Sequence, residues 1–284
     1  MLEQRNILET LLRFSAFFVL IGRGIQHLFF DVPIRILLWN ESLLSPLFNL
    51  FGWSWRSYVT SPLTDFLINL FVILIGCFLC ICSLFAIFNL RKGEKLLLLS
   101  GVYLVFLSAI YMSAKFFIPA QFIEYSAQMF SPFALFLYWR RGESERLILF
   151  IRIAVALTFI GHGAYALGIF PVPGNFIDMV INILGCDESF ARNFLKVMGS
   201  LDFLAAILLF IPMLSHWALG FCAMWGVLTS LARVSEDSVF GVSHILSSMG
   251  HEFIMRGPHF ILPVVLIYCA HKKSLQRVKA FHIN

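Results

Sequence analysis

Charge is what this sequence has least of. Asp, Glu, Lys and Arg supply 13% of its 284 residues, about half of the roughly 25% found in a soluble domain. A water-facing surface cannot be built from so few charges, which excludes a disordered chain and a nucleic-acid-binding domain. Cysteine is also sparse. All of the six except Cys186 sit in apolar runs, so they read as small core residues rather than a disulfide framework. No small-residue cleavage pattern follows the first apolar run, so that run reads as a retained helix. What fills the sequence instead is apolar: 60% hydrophobic residues and a mean hydropathy of +0.86. The bilayer is therefore the expected partner. The formal net charge of +5 is read as basic cytoplasmic loops rather than as a site for an acidic partner.

A spanning helix needs about 20 mostly apolar residues. Eight segments qualify: 8–30, 64–89, 96–117, 121–139, 146–168, 197–214, 216–234 and 251–270. The fourth carries Glu124, Gln128 and Pro132; the eighth carries Arg256, Pro258 and Pro263. Polar groups and prolines survive inside a span where they face protein or a wet cavity. The expected fold class is therefore all-α, a polytopic membrane bundle. Eight crossings put both termini on one side. That side holds 13 Lys and Arg against 5 Asp and Glu, and the other holds 8 against 11. The excess of basic residues makes the first side cytoplasmic. The expected location is a bacterial inner membrane.

The chain resembles itself once. Arg13–Leu28 reads RFSAFFVLIGRGIQHL and Arg152–Leu167 reads RIAVALTFIGHGAYAL. Asp65 with its neighbours parallels Asp202 with its neighbours, and a Glu opens the last span of each half, Glu124 and Glu252. This predicts two four-helix repeats, 1–142 and 143–284. Each holds an even number of spans, so the repeats face the same way.

Ionisable residues inside spans are costly, and they are functional candidates by default. Arg23 and His162 lie late in the first helix of each half, with His27 and Tyr165 about one turn away. Gly22 and Gly24 flank Arg23, and Gly161 and Gly163 flank His162, small residues that let helices approach closely. Lys115 and Arg233 close the third helix of each half; Asp65 and Asp202 open the second; Arg256 lies one turn after Glu252. By the topology above all of these gather near the outer leaflet. The plainer readings stay open: arginines and lysines that snorkel, acids at helix N-termini, glutamates that simply pair with cations. Cys77 and Cys80 form a CxxC, but mid-helix and without a charged activator. His251 and His259 stand eight residues apart, too far for one metal without a partner between them. The segments 31–62 and 169–196, rich in Pro and Trp, suit short interfacial helices that roof the cluster.

The Arg, the apolar stretch, the Gly/His-Gly element and the closing Leu in Arg13–Leu28 and Arg152–Leu167 resemble the opening helix of DoxX-like membrane proteins. Gly161-His162-Gly163 is the closer match, and Arg23 replaces the His in the first half. The resemblance implies a four-helix membrane unit, here in tandem. It also implies a link to quinone-coupled redox chemistry and a membrane or extracytoplasmic redox partner, because one branch is similar to the membrane subunit of thiosulfate:quinone oxidoreductase. By carry-over only Arg152, His162 and Gly163 match directly. Two function classes follow. In one, a quinone headgroup or small oxyanion sits near the outer leaflet. His162 and Glu252 then handle protons, and Arg23, His27, Lys115, Glu124, Tyr165, Arg233 and Arg256 contact the ligand. In the other, the chain is a carrier or a membrane scaffold with no reaction of its own. No haem-pair, flavin or iron–sulfur motif selects between them.

Overall fold

The computed structural model describes residues 2–30, 32–235 and 250–281. Among the described residues all regular structure is helical, with no strand. Five helical stretches are long and apolar enough to cross a membrane: Pro62–Ile87, Arg91–Ala114, Glu145–Ala166, Ser215–Val234 and Gly250–Ser274. They expose large apolar side chains such as Phe66, Phe71, Leu74, Phe106, Phe150 and Trp217. An exposed apolar surface of that extent belongs against lipid rather than water.

Helix α1 (Leu2–Phe29) leads to three short helices, α2 (Ile34–Leu38), α3 (Glu41–Phe51) and α4 (Trp55–Thr60). Asn40 and Ser54 cap α3 and α4 by accepting bonds from the backbone N–H groups of Leu43 and Ser57. Next come α5 (Pro62–Ile87), α6 (Glu94–Ala114), α7 (Pro119–Ile123) and α8 (Ser126–Arg141). Positive φ at Phe116 and Phe117 turns the chain from α6 into α7. The rest is α9 (Glu145–Ala166), α10 (Gly174–Leu184), α11 (Glu188–Leu208), α12 (Ser215–Ser235), α13 (Gly250–Met255) and α14 (Gly257–Phe281).

Four helices form the middle of the bundle. α1 packs on α8, α13 and α14, and α9 packs on α7, α8 and α14. α5 lies against α1 and α11 against α9; α6 lies against α8 and α12 against α14. One buried apolar cluster runs through all of them, including Leu12, Leu20, Leu135, Ile151, Leu262 and Leu266.

Two expected spans are broken. The chain kinks at Glu124–Tyr125 between α7 and α8, and at Arg256 between α13 and α14. Each long piece then carries an internal proline, Pro132 or Pro263. Proline has no N–H, so the carbonyl four residues earlier, on Gln128 or His259, loses its helical donor. The breaks are where the central helices touch most closely. A Cβ on Gly22 would stand 2.6 Å from the backbone nitrogen of Met255, and a Cβ on Gly161 would stand 2.6 Å from that of Glu124.

The sixth expected span is displaced. It was placed at 197–214, but α11 begins at Glu188, capped by Asp187. The polar run from Glu188 to Lys196 looks like loop by hydropathy, yet Ala191 and Leu195 on its inner side are buried with Ile177 and Val180 of α10. Asp202 therefore lies well inside a helix and does not open one. Asp65 does open α5 and pairs with Arg35, so the two aspartates are not equivalent. Glu124 and Glu252 do not correspond either. Measured back from Pro132 and Pro263, they differ by three residues, close to one turn.

Ion pairs lace one end of the bundle. Arg91 meets Glu9 at 2.8 Å, Arg140 meets Glu94 at 3.0 Å, and Lys272 and Lys273 meet Glu143 and Glu145 at 2.5 Å each. Trp139 Nε1 also donates to Glu9 at 3.1 Å.

The glycine contacts generate a contrast. Gly161→Ala should lower stability by roughly 1–3 kcal/mol, the usual range for overpacking. Gly220→Ala, in a helix with nothing within 4 Å of its Cβ, should be neutral or raise stability by up to about 1 kcal/mol through helix propensity. Unfolding midpoints in detergent check the pair, and equal shifts would contradict the close helix contact.

Candidate functional site

Arg23, late in α1, is 2% exposed. Its guanidinium lies between two tyrosine rings, 5.3 Å from the centre of Tyr111 and 4.9 Å from that of Tyr125. It donates from Nε and Nη2 to Gln128 Oε1 at 3.2 and 2.8 Å, and from Nη1 to Gln26 Oε1 at 2.8 Å. Gln26 Nε2 in turn donates to the Tyr111 hydroxyl at 2.9 Å. Three helices, α1, α6 and α8, and the kink before α8 thus supply one satisfied shell.

The string continues across the middle of the bundle. Gln128 Nε2 donates to His259 Nε2 at 3.4 Å, and the His259 ring meets His162 edge-on with centroids 5.4 Å apart. His162 Nδ1 lies 3.4 Å from Glu124 Oε2. Glu124 also takes a bond from Gln121 Nε2, and Tyr165 donates to Gln121 Oε1 at 3.3 Å. The glycines flanking Arg23 and His162 explain the depth of both side chains. Gly24 lies against Cys80 and Gly76 of α5, and Gly163 against Asp202 and Gly199 of α11.

Beside His162 and His259 opens a cavity of about 670 Å³. α10 contributes Phe176, Met179 and Ile183; α11 contributes Phe194, Met198 and Asp202; α12 contributes Trp225, Thr229 and Arg233. The walls are apolar. The polar lining consists of His162, His259, Asp202, Thr158, Thr229, Arg233 and Arg256. Arg256 is held by Glu252 at 2.8 Å, Arg233 approaches the same carboxylate at 3.9 Å, and the Arg233 guanidinium lies 5.3 Å from the Phe176 ring centre.

The expected site residues divide into groups. Arg23, Glu124, His162 and Tyr165 share the central string. Only His162, Arg233 and Arg256 of the expected set also line the cavity. Glu252 is tied to the two arginines and is absent from the cavity lining. His27 faces α6: its Nδ1 donates to the Arg23 carbonyl at 2.6 Å, and its Nε2 accepts from the Tyr103 hydroxyl at 2.5 Å. Lys115 is exposed at the end of α6. Gly22, Gly24, Gly161 and Gly163 sit at helix crossings. Cys77 is exposed, Cys80 half-buried, and both are free thiols.

Tyr111, Tyr125, Gln26 and Gln121 join the string without being among the expected residues, and His259, expected only as a metal candidate, enters it as a hydrogen-bond partner. One signal was available. Gln128 and His259 each stand four residues before an in-helix proline, which marks them as equivalent and as lying beside a freed carbonyl.

No protein-family model, curated protein or solved structure matches this chain.

Replacing Arg23 tests the central string. Arg23→Leu should cost about 1–3 kcal/mol for each of Gln26 and Gln128 left without its charged donor. Lys115→Leu should change the same unfolding midpoint little. If Arg23→Leu is as mild as Lys115→Leu, the guanidinium shell is not a fixed part of the fold.

Proposed function

We propose that this chain is a membrane protein that binds an amphipathic small molecule in the cavity beside His162 and His259, in the manner of a quinone-associated subunit. The observation that carries the reading is the cavity itself. Its volume of about 670 Å³ lies in the range of small-molecule pockets, roughly 300–1,000 Å³. It combines apolar walls with a few polar side chains, the lining that a polar ring with a hydrocarbon tail requires. The DoxX-like opening helices support the quinone assignment by resemblance. A quinone would bring its own redox chemistry. The chain's part would be to seat the ring against His162 and His259 and to admit the tail along Phe176, Met179 and Met198. A neutral imidazole at that place can donate a hydrogen bond to a bound ring or accept one from it. Glu252 serves by holding Arg256 and Arg233 in position.

The same reading takes the architecture as two tandem four-helix units, 1–142 and 143–284, eight crossings in all. Its support is a set of matched contacts: α1 with α13 and α9 with α7, the glycine approaches at Gly22 and Gly161, and the prolines at 132 and 263. It places the ion-paired end, with both termini, in the cytoplasm, because the basic residues concentrate there. A bacterial inner membrane and a redox partner at the outer face complete the proposal.

Binding of a benzoquinone carrying a decyl tail, measured on the protein in lipid nanodiscs, tests it. Met198→Trp fills the cavity and should weaken binding at least about tenfold, ~1.4 kcal/mol; His162→Ala should also weaken it. Equal binding by Met198→Trp and the wild type would reject the cavity as the site. For topology, thiols introduced by Lys92→Cys and Glu143→Cys should react with a membrane-impermeant reagent from the cytoplasmic side alone.

A further inference from the structure

Asp202 has no part in the scheme above, yet it is the least explained polar group in the bundle. It is 3% exposed, it lines the cavity, and its Oδ1 has no hydrogen-bond partner among the described residues. It sits where α11 crosses α9, its Cβ 3.0 Å from the place a Cβ on Gly163 would occupy, so the glycine makes room for it. A buried carboxyl without a donor costs free energy that water or a ligand must offset. A carboxylate oxygen accepts hydrogen bonds, and a protonated carboxyl can also donate one. A hydroxyl, which donates and accepts, satisfies Asp202 in either state.

We infer that Asp202 is a ligand-binding residue and that the cavity takes a neutral amphipath whose head carries a hydroxyl hydrogen-bonded to Asp202. The inference rests on the cavity reading and narrows it. The carboxyl at the cavity wall disfavours an anionic head. The two arginines do not demand one, because two carboxylates face them: Glu252 pairs with Arg256 and lies close to Arg233, and Glu124 stands near enough to interact with both. The hydroxyl would lie within the group formed by Asp202, His162 and His259. The chain behind it would run between Phe194, Met198 and Trp225.

Trp225 lines the same cavity and reports occupancy directly. It is one of six Trp, so the quenching lost in Trp225→Phe isolates its signal. The protein in nanodiscs is titrated with three probes of equal length that carry bromine at the tail end: ω-bromoundecanol, bromoundecane and ω-bromoundecanoic acid. The expected result is that the alcohol quenches Trp225 at roughly tenfold lower concentration than the alkane, a difference typical of one good hydrogen bond. Asp202→Leu should abolish that preference while alkane quenching persists. Equal quenching by alcohol and alkane in the wild type means that water satisfies Asp202, and it overturns the inference while leaving the cavity reading intact. So does a preference for the alcohol that survives Asp202→Leu. Strongest quenching by the acid overturns it in favour of an anionic head at Arg233 and Arg256. If no probe quenches Trp225, the cavity reading itself fails and this inference with it.

Discussion

Everything in the centre of this bundle answers to one constraint: a guanidinium placed among apolar helices must be satisfied by the protein itself. Arg23 meets it with two amide oxygens, a phenol and two ring faces, drawn from α1, α6 and α8 and from the kink before α8. Desolvating such a charge without partners would cost many kcal/mol. The shell fixes where α6 and α8 stand against α1. Gln128, committed to Arg23 through its oxygen, has only its amide nitrogen left, and that nitrogen fixes His259. Order at the core of the second half is thus inherited from a cation in the first.

The residue at the corresponding place in α9 is His162, and its surroundings differ in kind. Tyr125, which covers Arg23, stands seven residues before Pro132, and Arg256 stands seven before Pro263. Where the first half has an aromatic ring over its polar residue, the second has an arginine drawn toward Glu252. The Phe176 ring of α10 stands 6.5 Å from that of His162, and the cavity opens beside them.

Much of the fold was legible because a bilayer imposes a length. Five of the eight apolar runs fall on the stretches long and apolar enough to cross a membrane, and the Trp-rich residues 34–60 form short helices as expected. What was not legible depends on partners distant in sequence. The start of α11 looks polar because only Ala191 and Leu195 report the cover given by α10. Asp65 and Asp202 look alike in their local strings but differ in depth, one at a helix entrance and one inside the bundle. Glu124 and Glu252 match in order but not in register, a slip of about one turn that hydropathy cannot see. The sequence points to ionisable residues gathered near the outer leaflet. In the structure Arg23, Glu124 and His162 join, Lys115 stands apart, and the cavity is built largely from uncharged residues of four helices, which no local pattern announces.

The ion pairs described at the termini carry a mechanical consequence. Glu9, Glu94, Glu143 and Glu145 tie α1, α6, α9 and α14 to their neighbours at a single end. Single bonds of this kind are weak, but all of them resist separation at the same level. The helices are pinned there like ribs at the hub of a fan. α11 and α12 are joined at the same level by the short connection 209–214, so any spreading between them grows with distance from that end and is widest at the rim where α10 lies.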